Sequence, residues 1–180
     1  MTWAVLASRR VYASRYIAVR EDRVLIDDAR EITYSYCEHP GYALIVAVTS
    51  DNRIPVLRHF RLPVRDWVLE FPSGRIDLED PLAAARRELH EEAGGTSDDW
   101  SELGSLYPSA GSSSEVAHLF LARNVKIGTP GPELDESFEL LLPTVDEVAS
   151  MIDRGMMKDA VSIVAFTRAR RSMTAGAQAR

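Results

Sequence analysis

The stretch R-R-E-L-H-E-E-A-G-G, Arg86 to Gly95, decides how the rest of the chain is read. On a helix turning about 100° per residue, Glu88, Glu91 and Glu92 fall within one arc of roughly 100°. Leu82, Ala85, Leu89 and Ala93 form an adjoining apolar stripe that can dock on a core. At ~6 Å and an effective dielectric of ~20, each pair of these carboxylates repels by roughly 3 kcal/mol. A solvated acidic face would ordinarily interleave lysine or arginine at i+4 positions. No lysine stands among these acids, so a divalent cation is the natural counter-charge, with a solvated acidic face as the competing reading. The flanks bound the helix: Asp80 suits the N-cap, Pro81 the first helical position, and Gly94 or Gly95 the stop.

Upstream of this helix the chain reads as strands. "RYIAVRED" and "RVLIDD" are rich in β-branched residues, and "REITYSYCEH" alternates Ile32, Tyr34 and Tyr36 on one side. After the turn "HPGY", the run "YALIVAVTSDNRIPVLRHFR" predicts a hairpin: a buried strand, a Ser-Asp-Asn turn and a return strand. "DWVLEFPSG" is a further strand, stopped by Pro72 and Gly74. Downstream, "SLYPS" and "VAHLFLARNV" predict strands, "KIGTPGPELDES" a mobile loop and "FELLLP" a strand. "TVDEVASMIDRG" and "DAVSIVAFTRARR" predict helices, and the tail "SMTAGAQAR" is expected to fray. Strands and helices mix without regular βαβ alternation, so the expected class is α+β, with the acidic helix against a mixed sheet.

At 180 residues and 46% hydrophobic, the chain has the length and composition of one core-forming domain with at most a small appendage. Its net charge of −6 argues against a broad phosphate-tracking surface for nucleic acid, though not against a small anionic substrate. Cys37 is the only cysteine, which excludes an internal disulfide and a cysteine-built metal site. The longest apolar run, Tyr42 to Val48, is too short to span a bilayer, and the N-terminus lacks a secretory signal. A soluble cytoplasmic enzyme, without nucleic-acid or membrane partners, is the expectation.

From Glu79 the sequence gives E-x7-R-E-L-x-E-E-x-G through Arg87, Glu88, Leu89, Glu91, Glu92 and Gly94. This resembles the Nudix box, G-x5-E-x7-R-E-U-x-E-E-x-G-U with U aliphatic. It departs at two places. Gly74 precedes Glu79 by five residues where the pattern has six, and Gly95 replaces the last aliphatic residue. Asp80 would restore the first spacing but break the second, so Glu79 is taken as the match.

The resemblance extends to the ADP-ribose pyrophosphatase branch of that family. "VLRHFRLPVRDWVLEFPSGRID" is similar to the segment leading into the box, "LGSLYPSAGSSSEVAHLFLA" to the one after it, and "GMMKDAVSIVAF" to the C-terminal helix. It implies a Nudix α/β/α-sandwich-like fold over residues 42–180, preceded by a dimer-forming β extension over 1–41, and hence a homodimer. The implied reaction is hydrolysis of a nucleoside diphosphate linked to a sugar, ADP-ribose to AMP and ribose 5-phosphate, with Mg2+ or Mn2+ as cofactor. Hard cations held by carboxylates would neutralise the phosphate oxygens and activate water.

Carried over residue by residue, the resemblance assigns Glu88 and Glu92 to the metal, with Glu79 or Glu91 completing the set and the Ser73 carbonyl as a further ligand. Glu91 and Arg87 join the catalytic group, Arg87 as a fork orienting Glu79 or Glu88. Glu115, after the serine loop, matches an acid near the metals. Arg58 and Arg61 are candidates to clamp phosphates, and Glu70 to contact substrate. Glu136 is the expected general base, with Glu133 and Asp135 as rivals on the same loop. His90 is expected to face solvent. Tyr12, Tyr16, Tyr34 and Tyr36 are read as core or interface residues that could include a stacking platform for a base. Two alternatives stand beside this reading: another nucleotide substrate (a nucleotide sugar, a dinucleoside polyphosphate or a nucleoside triphosphate), and a catalytically silent nucleotide-binding module. The short lead-in loop and Gly95 favour the silent module; the intact Arg87-Glu88-x-x-Glu91-Glu92 set opposes it.

Overall fold

The computed structural model describes residues 2–131 and 137–178. The chain forms two compact units, Met1–Gly41 with Tyr107–Val116, and Tyr42–Leu106 with Ala117–Arg180.

The first unit is an antiparallel meander of β1 (Trp3–Ala13), β2 (Ala18–Ile26) and β3 (Arg30–Glu38). The two strands expected in "RYIAVRED" and "RVLIDD" are one continuous β2, a correction with an electrostatic reason. The charged run between them stays in the ladder because each charge meets a cross-strand partner. Arg9 reaches Glu21 at 2.6 Å, Arg23 reaches Glu31 at 3.0 Å, and buried Asp22 accepts from Ser8 and from the Tyr36 hydroxyl. Hydrogen bonds from Arg10 and Arg20 hold the Glu38 carboxyl down to about 2. The serine loop belongs to this unit: the Cys37 amide donates to the Ser112 carbonyl, and Tyr34 Oη to the Gly111 carbonyl. Every residue of β1 is exposed, and among the described residues its outer edge pairs with no other strand.

The second unit contains β4 (Tyr42–Thr49), β5 (Val56–Arg61), β6 (Asp66–Glu70), β7 (Ser73–Arg75), α1 (Pro81–Ala93), β8 (Gly95–Thr96), β9 (Asp99–Leu106), β10 (Ala117–Ile127), β11 (Phe138–Leu141), α2 (Val145–Asp153) and α3 (Ala160–Gln178). Parallel β4 and β10 form the centre of a mixed sheet, with β7 on the outside of β4 and β8 and β9 antiparallel to β10. Strand alternation divides the core. Ala43, Ile45, Ala47, Phe120 and Ala122 pack with Ala84, Ala85, Leu89 and Ala93 of α1. Leu44, Val46, Val48, Leu119 and Leu121 pack with Val161, Ala165, Phe166 and Ala169 of α3. The result is the α+β, helix–sheet–helix arrangement expected of the family.

Two further expectations are corrected. β4 and β5 are not a hairpin. The turn closes through Thr49 and Arg53, but β4 then pairs with β7 and β10 while β5 joins a separate sheet of order β11-β5-β6. Ile54 and Pro55, fully buried after the turn, carry the chain inward instead of back along β4. The tail "SMTAGAQAR" continues α3 as far as Gln178. Among the described residues, no helix is long and apolar enough to cross a membrane.

Both ends of α1 are as the sequence implied. Asp80 Oδ1 accepts from the Leu82 and Ala83 amides, and Gly94 closes the helix at φ 61°. Gly95 has a packing reason: a Cβ there would lie 2.8 Å from Cγ of fully buried Leu89. Restoring the aliphatic residue of the family pattern should therefore overpack the helix end. Gly95→Val is expected to lower unfolding free energy by ~1–3 kcal/mol in urea denaturation. A variant as stable as the parent would show that Leu89 has room to yield.

Candidate active site

The acidic face of α1 is organised by one arginine. Arg87 donates from Nε and Nη2 to Glu79 Oε1 at 3.1 and 2.8 Å, and from Nη1 to Glu88 Oε1 at 2.6 Å and Glu91 Oε2 at 2.9 Å. Nη2 also reaches the Arg75 carbonyl at 3.2 Å, tying the fork to β7. Burial works against this charge, but the bonds to Glu79, Glu88 and Glu91 outweigh it and raise the guanidinium above its ordinary pKa. It carries its charge at every working pH.

Glu88 and Glu92, one turn apart, are 7% and 4% exposed, so the carboxylates lie inside the protein surface. The lead-in loop closes over them with backbone. The Ser73 amide donates to Glu92 Oε2 at 2.7 Å. A Cβ on Gly74 would lie 1.8 Å from Glu88 Oε1, so only glycine allows this approach. Two residues before Ser73, the Phe71 amide donates to Ser162 Oγ of α3 at 3.1 Å.

The candidate substrate residues are engaged with acids. Arg61 and Glu70, expected to act separately, form a forked ion pair across β5 and β6, with Arg61 Nε at 3.0 Å from both carboxylate oxygens. The hydrogen bond to Glu70 raises the Arg61 pKa against the cost of burial, and the charges of Glu92 and Asp159 add to the rise. Arg58 pairs with Glu139 at 3.3 Å and stacks over the Trp67 ring at 4.5 Å. Within the first unit, Glu115 lies 3.4 Å from His39 Nδ1. Glu136, with Glu133 and Asp135, lies outside the described residues. His90 is exposed on α1. Ser162 carried no sequence signal: a lone serine near a helix start is indistinguishable from an ordinary surface residue until its partner is known.

The donors suit a hard divalent cation in kind, being carboxylates backed by a glycine cradle. Among the described residues, no three acidic, histidine or cysteine side chains stand together at chelating spacing. The Arg87 fork draws Glu79, Glu88 and Glu91 to itself, so a cation held by Glu88 and Glu92 would compete with it for Glu88.

Residues 38–163 match the NUDIX domain family, and the chain belongs to it. It is 27% identical over 163 residues to the methanol dehydrogenase activator of Bacillus methanolicus, covering 89% of this chain and 88% of that protein. It is 26% identical over 164 residues to the ADP-ribose pyrophosphatase of Bacillus subtilis (strain 168), covering 89% of each. The fold matches a crystal structure of an ADP compounds hydrolase with a TM-score of 0.80 at 19% identity, over 98% of this chain and 96% of that one.

The neighbouring acids Glu79 and Asp80 should separate cleanly. Glu79 is bonded to Arg87, whereas Asp80 caps α1. Asp80→Asn is expected to cost at most ~1 kcal/mol of stability and little turnover. Glu79→Gln should cost far more turnover than stability. Steady-state kinetics beside thermal melts give the ranking, and the reverse order would move the box by one residue.

Proposed function

We propose that the protein is a Nudix hydrolase that splits the pyrophosphate of a nucleoside diphosphate linked to a sugar, with ADP-ribose giving AMP and ribose 5-phosphate. The observation that carries this is the pair of buried carboxylates, Glu88 and Glu92, held under the Ser73–Gly74 backbone beside the Arg87 fork. The name of the Bacillus subtilis relative supports the substrate.

In this reading Glu88 and Glu92 hold Mg2+, or Mn2+ in its place, with Glu79 and the Ser73 carbonyl as further oxygen donors. When bound, the cation supplies charge neutralisation at the phosphates and activation of water. Arg87 fixes the rotamers of Glu79 and Glu91, and Glu88 would share its carboxylate between Arg87 and the cation. Arg61 and Arg58 bind phosphate oxygens by exchanging their carboxylate partners for substrate, with Glu70 holding Arg61 ready. Glu136 takes the proton from the attacking water, and Glu115 assists. The enzyme acts in the cytoplasm.

Turnover of ADP-ribose should vanish in excess chelator and return with Mg2+. Glu92→Gln should lose at least ~100-fold in turnover, since a cation contributes several kcal/mol to the transition state and ~1.4 kcal/mol is tenfold. A panel of nucleotide sugars, dinucleoside polyphosphates and nucleoside triphosphates, assayed for released phosphate or monophosphate, tests the substrate. Full activity in chelator or in Glu92→Gln would overturn the metal assignment, and preference for a triphosphate the substrate.

The working form is a homodimer joined through the first unit. Trp3, Val5, Leu6, Val11 and Tyr12 are exposed along β1, an apolar edge that a second chain would cover. Light scattering at micromolar concentration should give twice the 20.1 kDa chain mass. A monomer there would refute it.

A further inference from the structure

We infer that Ser162 is a positioning residue for the metal-binding carboxylates, acting through the backbone of Phe71, Pro72 and Ser73. The inference rests on the proposed function and adds to it a residue outside the box. The buried polar or charged residues among those described are Asp22, Glu88, Glu92 and Ser162. Two of them are the site glutamates; Ser162 is the one on α3, and it is fully buried.

Ser162 sits in the first turn of α3, where its amide donates to Asp159 Oδ2 at 2.7 Å, which fixes the turn. Its Oγ accepts from the Phe71 amide at 3.1 Å. The next residue, Pro72, offers its carbonyl to the Ile45 amide of β4 at 2.9 Å. The one after, Ser73, donates its amide to Glu92 Oε2 at 2.7 Å. Three consecutive residues thus have three anchors, on α3, on the central sheet and on the carboxylate. Proline fixes φ between the first and the last, so the segment transmits a displacement.

Without the hydroxyl, the buried Phe71 amide has lost its acceptor and must shift or admit water. The Phe71 side chain would still be held, since it is fully buried and packs at 6.2 Å from the Phe166 ring. The effect should therefore fall on the amide line leading to Glu92 more than on the core. Groups that hold metal ligands in place typically cost ten- to a hundredfold in metal affinity when removed.

The experiment is calorimetric titration of Mn2+ into the full chain without substrate, for the parent, Ser162→Ala, Val161→Ala and Glu92→Gln. Val161 is the buried neighbour that packs in the core, so its truncation lowers stability while leaving the Ser162 hydroxyl and its bond to the Phe71 amide in place. Ser162→Ala should weaken Mn2+ roughly tenfold or more. Its lost turnover should return as metal is raised, with KM for substrate unchanged. Val161→Ala should melt lower yet bind Mn2+ as the parent does. If Ser162→Ala does not fold, Ser162→Cys, close in size but a weak acceptor, carries the same comparison. Parent-like Mn2+ affinity in the Ser162 variant, with Glu92→Gln impaired, overturns this inference alone. Equal weakening in Val161→Ala overturns it as mere destabilisation. Parent-like affinity in Glu92→Gln removes the metal assignment, and the role of Ser162 with it.

Discussion

Removing the carboxylates of Glu88 and Glu92 from bulk water costs several kcal/mol per ion unless each is given partners. The placement of the surrounding segments follows from that need. Arg87 supplies positive charge to Glu88 from the preceding position on the same helix, and the Ser73 amide supplies a donor to Glu92 from β7. Neither works at a distance, so the lead-in backbone must lie directly on the helix, and position 74 must have no side chain. The glycine and the acids are therefore one feature, not two motif positions that happen to be near each other.

That closeness is prepared by the core behind it. On the α1 side the interface is built largely from small residues: Ala43, Ala47 and Ala122 in the strands face Ala84, Ala85 and Ala93 of the helix. Small side chains let a helix approach a sheet, and Leu89, Ile45 and Phe120 fill the space between them. The opposite side of the same sheet, facing α3, uses Leu44, Val46, Leu119, Leu121 and Phe166. Bulk on one face sets the thickness of the core; its scarcity on the other brings the acids within reach of β7.

The first unit relies on different forces. Its strands carry charge along their length, and the ladder persists because arginines and acids alternate across it, with Glu38 held by both Arg10 and Arg20. Such exposed pairs each contribute little to stability, and β1 leaves large apolar side chains in solvent. Those side chains are the surface through which the proposed dimer would gain further apolar burial.

The sequence by itself determined the features that depend on near neighbours. Asp80, Pro81 and the Gly94–Gly95 pair bounded α1, the spacing of Glu88, Glu91 and Glu92 put them on one face, and the unbroken apolar run Tyr42 to Val48 marked a buried strand. Each of these is a local pattern or a capping preference, so a window of a few residues contains the whole signal. The tertiary structure decided what crosses the chain. It sent β4 and β5 into different sheets, because buried Ile54 and Pro55 draw the chain away from its own turn. It paired Arg61 with Glu70, which as separate charges read as two substrate contacts. It joined Phe71 to Ser162, 91 positions apart, and made Gly95 a packing necessity through Leu89. Such contacts leave no periodic trace, since the partner's address is set by how the layers stack and not by spacing along the chain.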